Sequence, residues 1–266
     1  MTTALYIQDK RAIWRSVQRR RDAWENKFVF LFRVTLNKQF KELAGRINAG
    51  NVGSTTLLGI IKKEPIQQRM IELYKAVGSD FARSQFETLK NEPIDLLMKV
   101  ETEDQWLNFM DNYVRRRLWK RIEKINQTSI DLAGKIINET LAEGVAEGLG
   151  ADAMATKVKK NLIQKGVEYN QWRALRVART EIMTASNIGS LEGAKATGEM
   201  LEKLWIATYD NRSRDNHPAI EQQNPKRMDE GFRVGAYLME CPGDPDAGPE
   251  EVINCRCAMA FNVVGW

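Results

Sequence analysis

The chain contains a single histidine and three cysteines, and all four fall near its C-terminal end: His217, Cys241, Cys255 and Cys257. A Cys3His set has the ligand number and type that suit a tetrahedral zinc ion in a closed structural site. Such a bond would tie together the loops of a module too small to build much core. Cys255-x-Cys257 is not the usual Cys-x2-Cys pair, and buried or incidental thiols are the alternative, since free cysteine is among the most buried residue types. Three cysteines cannot all pair within one chain, which argues against a disulfide framework.

His217 would also serve as a general base, with Asp210 or Asp215 setting its tautomer. That reading describes a metal-supported enzyme acting on nucleic acid or a nucleotide through His217 and Asp210. No Gly-x-Ser-x-Gly elbow, phosphate-binding Gly-Lys-Ser/Thr loop or His-Glu-x-x-His pair accompanies it, so the expectation is a protein that is not an enzyme. The more ordinary role for Asp210, Arg212, Arg214 and His217 is a hydrogen-bonded turn in which guanidinium forks satisfy carboxylates and loop carbonyls. Arg179 and Glu181 are two apart on an expected helix and so face different sides, which points to separate packing or ion-pair roles.

The elements that must position these residues are mostly helical. From about Lys10 to Asn48, apolar residues recur at separations of three, four and seven, predicting one very long helix. Ser54 to Lys63 reads as a connector, Pro65 starts a helix that runs to about Lys90, and Asn91-Glu92-Pro93 breaks it. Another helix is expected from Thr102, with Thr102 as its N-cap, and helix continues or resumes from Gln127 to Glu143. Gly144, Gly148 and Gly150 mark a hinge before a short helix at Ala151 to Lys165 and a longer one at Tyr169 to about Ala196. Strands are expected at Leu201 to Tyr209, Phe232 to Val234, Ala236 to Met239 and Ala258 to Val264. The fold class is therefore α+β, with long helices in the first two-thirds and a small loop-rich module of short strands at the end. The expected division is a helical region at 1–165 and a compact module at 166–266.

The net charge of +5 is uneven along the chain. Residues 1–204 carry 34 basic and 25 acidic side chains, and residues 205–266 carry 6 and 10. Arg15, Arg19 and Arg20, with Arg115, Arg116, Lys120 and Arg121, form two clusters basic enough to contact phosphate, giving salt-sensitive, sequence-independent affinity for duplex DNA. A solvated helix face is the alternative. The N-terminus lacks an apolar signal-peptide core and no run approaches the roughly 18 apolar residues of a membrane span, so synthesis in the cytoplasm and no membrane partner are expected.

An ordered series of blocks is more specific than any of these signals. Ala178-Arg179-Thr180-Glu181 with Asn187, then Trp205 through His217, Phe232-Arg233-Val234-Gly235, Pro242-Gly243-Asp244-Pro245 and Ile253-Asn254-Cys255-Arg256-Cys257 together resemble the phage Mu F-like minor head proteins, also called head morphogenesis proteins. The resemblance covers roughly residues 170 to 260. It implies a minor capsid component inside the head of a tailed bacteriophage, made in the host cytoplasm and associated with the portal vertex. Its implied partners are the portal protein, the major capsid or scaffold protein and packaged double-stranded DNA, with roles in head assembly and DNA packaging or ejection. Asp210, Arg212, Arg214 and Asn254 belong to the motif blocks, and the family pattern includes Cys255 and Cys257 more firmly than Cys241.

Overall fold

The structure, a computed structural model, describes residues 3–91, 96–208 and 213–264, with the side chains of 3–9 and 96–101 left aside. Helix α1 spans Thr3–Arg46, and its buried side chains Phe28, Phe32, Leu36, Phe40 and Leu43 keep the spacing of a single apolar stripe, which Ile47 extends just past its end. It ends where the Asn51 side chain donates to the Arg46 carbonyl, one of the acceptors a helix end leaves over. A 3-10 turn at Thr55–Ile60 leads to α2 (Glu64–Leu73), a π turn at Tyr74–Gly78 and α3 (Ser79–Lys90). Asn91 stops α3 in the left-handed region, at φ 55°. Then come α4 (Leu96–Arg117), α5 (Trp119–Ala146) and α6 (Ala151–Ala196).

Several helices differ from the expected bounds: α5 starts at Trp119, ahead of the expected Gln127, and takes in Gly144, one of the expected hinge glycines. Helix α4 begins at Leu96, so Thr102 lies inside it and caps nothing. Helix α6 runs unbroken through the expected gap between Lys165 and Tyr169. Gly166, which reads as a break, is instead a contact point: a Cβ there would come within 2.6 Å of the Phe40 ring. Glycine serves close packing here, and the helix accepts its intrinsic cost of about 1 kcal/mol.

The chain forms two compact units, each assembled from separated stretches. One comprises residues 27–70 and 117–177 and is entirely helical apart from its turns. Its apolar core joins Phe40 and Leu43 of α1, and Ile47 just after it, to Ile136 and Ile137 of α5 and to Val158 and Leu162 of α6. A buried polar layer follows: Gln39 bonds Asn126 and Ser129, and the Arg173 guanidinium donates to Ser129, Asn170 and the Ile125 carbonyl. Burial holds the Arg173 pKa down to about 10.

The other unit comprises residues 1–26, 71–116 and 178–266. It holds β1 (Leu201–Ile206), α7 (Asn216–Ile220), β2 (Lys226–Arg227), β3 (Phe232–Val234), β4 (Tyr237–Met239), α8 (Pro249–Val252) and β5 (Ala258–Val263). Strand β1 is central in an antiparallel sheet ordered β2-β1-β5, and Leu201 to Ile206 pair residue by residue with Val263 to Ala258. Strands β3 and β4 form a separate hairpin. Within this unit α6 packs backbone to backbone on the π turn and α3, because a Cβ at Gly189 would lie 2.2 Å from the Gly78 carbonyl oxygen and one at Gly193 would lie 2.1 Å from that of Ala82. Among the described residues, no helix is long and apolar enough to cross a membrane.

Candidate metal centre

Pairing of β5 with β1 fixes the chain immediately after Cys257, and α7 brings His217 against the edge of Trp205 in β1, with ring centroids 6.1 Å apart at 88°. The Cys255-x-Cys257 loop faces the same spot. The Nδ1 of His217 lies 3.4 Å from Cys257 Sγ and 3.7 Å from Cys255 Sγ, and the ligand atoms of all three lie within 4.8 Å of one another. All three residues are buried. Ligand lengths of about 2.3 Å to sulfur and 2.05 Å to nitrogen at a tetrahedral angle put S and N roughly 3.6 Å apart. The two nitrogen–sulfur separations are therefore close to those of a tetrahedral site.

The second imidazole nitrogen completes the arrangement. Nε2 lies 2.9 Å from Glu251 Oε2 in α8, and the other carboxylate oxygen of Glu251 accepts from the Asn216 side chain. A histidine that donates Nε2–H to a carboxylate presents the Nδ1 lone pair to a metal, the usual outer partner of a metal-bound imidazole. Sequence reasoning looked for this carboxylate at Asp210 or Asp215. Asp210 lies outside the described residues, and Asp215 precedes α7 without a side-chain cap bond. Glu251 is 34 residues further on and no standard motif links it to His217, so only the fold reveals the pair.

Charge in the site favours one thiolate. A hydrogen bond from Cys257 and the neighbouring His217 hold the Cys255 thiol well below its usual range, while Cys255 in turn pushes Cys257 up. Burial pulls the His217 pKa down but is outweighed by Cys255 and Glu251, leaving it raised. Arg21, from α1, is the nearby cation. Its guanidinium is buried and donates to Ser186 Oγ at 2.8 Å, Asn187 Oδ1 at 3.0 Å, and the carbonyls of Cys257 at 3.1 Å and Arg256 at 3.2 Å. Burial holds its pKa down to about 10, against the opposing pull of Cys255 and Cys257. Trp14 Nε1 donates to the Arg256 carbonyl as well, so α1 grips the Cys255-x-Cys257 loop through main-chain oxygens. Arg21 belongs to the basic run Arg19-Arg20-Arg21, expected to contact phosphate or to form a solvated face, but it is buried instead against Ser186 and Asn187 of α6.

The remaining predicted residues are scattered. Cys241 is buried outside the His217, Cys255 and Cys257 group, with burial and the neighbouring Asp244 and Glu240 carboxylates pushing its thiol well up. Arg214 donates to the Ile253 carbonyl at 2.6 Å, and Asn254 takes the left-handed conformation at φ 57° while its N–H donates to Thr180 Oγ1. Arg212 lies outside the described residues. Arg15, Arg19 and Arg116 are exposed; Arg20 is held by Asp80 and Ser84, and Arg115 by Asp111. Lys120 is exposed and Arg121 half-buried. Arg179 and Glu181 do part company, the first to Glu25 at the surface and the second to the buried Tyr74 hydroxyl.

Two spaces adjoin the centre. A cavity of about 10 Å³, lined by Thr208, Ser213, His217, Asn254, Cys255 and Cys257 among others, is the size of one water, and so of one further small ligand. A cleft of about 610 Å³ opens beside Cys255, bordered by Trp14, Arg21, Glu25, Arg179 and Arg256.

Residues 135–260 match the family described as phage Mu protein F like. That segment, a little under half of the chain, is similar to the phage Mu F-like family. The match takes in all the blocks from Ala178 to Cys257 and begins well before them, within α5. The chain is also similar to the NAD(+)--arginine ADP-ribosyltransferase EFV of Enterococcus faecalis (strain ATCC 700802 / V583), at 28% identity over 180 residues. The similarity covers 66% of the present chain but 35% of that relative, so the chain spans about a third of the relative's length. No solved structure matches it.

Proposed function

We propose that this chain is a minor head protein of a tailed bacteriophage, acting by binding and not by turnover. The observation that carries this reading is the family segment at 135–260, whose C-terminal blocks build the buried His217, Cys255 and Cys257 group. In this reading the helical region at 1–165 docks on the portal protein and on major capsid or scaffold protein inside the head, and the protein assists assembly and the packaging or ejection of DNA. A zinc ion held by His217, Cys255 and Cys257 would fasten helix α7 to the Cys255-x-Cys257 loop, with Glu251 orienting the imidazole. The ion's role there is structural, a charge and a set of bonds around which the loops close.

The test is co-purification with the cognate portal oligomer, with zinc content measured on the same sample. Stable association and about one zinc per chain are expected. Failure to associate under conditions where the portal is intact would refute the reading.

A second reading comes from the transferase relative. A stretch of 180 residues must overlap the family segment wherever it lies in this chain, so the shared part includes Mu F-like sequence. The proposal for that overlap is a shared assembly module. NAD+ consumption in the presence of free arginine, abolished by His217→Ala, would instead support an enzyme.

A further inference from the structure

The charge of this protein divides along its compact units more sharply than along its sequence. Residues 27–70 and 117–177 carry 19 basic and 9 acidic side chains, a net +10; the other unit carries 21 and 26, a net −5. The arginine clusters at Arg15, Arg19 and Arg20 and at Arg115 and Arg116 thus belong to the acidic unit. Two of them are already engaged, Arg20 by Asp80 and Arg115 by Asp111.

A second, independent observation points the same way. Among the described residues, the large aromatic side chains that stand exposed are Phe30, Trp119, Tyr169 and Trp172, and all four lie in the basic unit. The exposed large apolar residues of the acidic unit are aliphatic or methionine: Met200, Leu238, Ile253 and Val263. Trp119 opens α5 with Lys120 Nζ 5.5 Å from its ring centroid. One turn further, Lys124 stands about 6 Å along the same helix. Lys63, Lys120 and Lys124 border an open cleft of about 450 Å³ with Glu123, Asn126 and Gln127. Lys63 is paired with Glu123, which leaves Lys120, Lys124 and the neighbouring exposed Lys62 as the cations available to a ligand.

Exposed aromatic faces interleaved with unpaired lysines are the chemistry of nucleic-acid binding, in which ammonium groups take phosphates and rings take sugars or bases. An acidic protein partner would use the charge but has no need of the aromatic faces. We propose that residues 27–70 and 117–177 carry the nucleic-acid surface of this protein, with Lys62, Lys120 and Lys124 on the phosphodiester backbone and Trp119 against sugar or base. This rests on the reading of the chain as a DNA-contacting head protein and relocates that contact to one unit and one helix start. Duplex and single strands share the phosphodiester chemistry and differ in whether Trp119 has an open base to stack on.

The test uses the full chain and labelled oligonucleotides of about 30 base pairs or about 30 nucleotides, with affinity followed by anisotropy between roughly 50 and 200 mM salt. For the K62A/K120A/K124A variant on duplex, the log–log salt slope should shrink by up to about 2.7, near 0.9 for each phosphate no longer neutralised, and by up to about 2.1 on single strands. Trp119→Ala should weaken single-strand binding at least about fivefold if a base stacks there, and leave both forms nearly unchanged if the ring only lines the duplex backbone. R15A/R19A/R116A should leave the slope as it is. A slope that follows the arginine variant and ignores the lysine variant overturns this placement while leaving DNA contact intact. Wild-type protein that binds neither form at low salt removes DNA contact itself, and this surface with it.

Discussion

Replacing Glu251 with Ala tests the metal centre at its least obvious member. Glu251 touches no metal; it holds His217 Nε2 at 2.9 Å, is held in turn by Asn216, and is only 8% exposed. Removing it frees the ring to rotate and removes the carboxylate that makes Nδ1 a better donor. Loss of such an outer partner typically lowers metal affinity 10- to 100-fold, or about 1.4–2.7 kcal/mol. Glu251→Gln keeps an acceptor in place and discards the charge, so it should fall between wild type and Ala. Cys241→Ser should leave affinity unchanged, because Cys241 lies outside the donor group. Zinc affinity would be read by competition with a chromophoric chelator at fixed pH, and each variant melted with and without chelator, since bound metal at about 100 times its Kd stabilises the fold by about 2.7 kcal/mol. Equal zinc affinity in wild type and Glu251→Ala would refute the orienting role. Loss of zinc on Cys241→Ser would refute the donor set itself.

Three further substitutions probe the packing. Gly189→Ala must displace the Gly78 carbonyl by about 1 Å, an overpacking cost of roughly 1–3 kcal/mol or more, against a helix-propensity gain of at most about 1 kcal/mol. Net destabilisation is expected, whereas Gly134→Ala in α5, whose Cβ would meet Leu58 at an ordinary 3.5 Å, should stabilise by up to about 1 kcal/mol; denaturant unfolding that gives both the same sign would defeat the argument. Arg21→Met removes four hydrogen bonds, three of them buried and two of them to carbonyls of the Cys255-x-Cys257 loop, and should cost several kcal/mol of stability while sparing zinc stoichiometry at low temperature. Unchanged unfolding midpoints would mean that the loop is held by other bonds.

What the sequence made legible was local and periodic. The stripes of α1 and α5, the end of α3 before Pro93 and the four longer strands all follow from spacing and from residues whose backbone preferences are strong. The site was half legible, since His217, Cys255 and Cys257 are rare residue types whose chemistry announces itself. Glu251 and Arg21 were not, because glutamate and arginine are common and only long-range packing separates a buried partner from a surface charge. The continuity of α6 through Gly166 was hidden for a related reason: a glycine that permits close approach and a glycine that ends a helix look alike in one dimension.

The interleaving of the two units sets an order on the birth of the molecule. A ribosome that has released residues through Val177 has delivered everything the basic helical unit needs, whereas the other unit still lacks its sheet. Strand β5, which closes that sheet on β1, is the last of its strands to be made, and Cys255 and Cys257 directly precede it. Until then the sulfur ligands do not exist alongside His217, and the N-terminal half of α1 has no loop carbonyls to grip. Metal capture would therefore come only after the helical unit is complete, a checkpoint that a chain cut short before Cys255 could never pass.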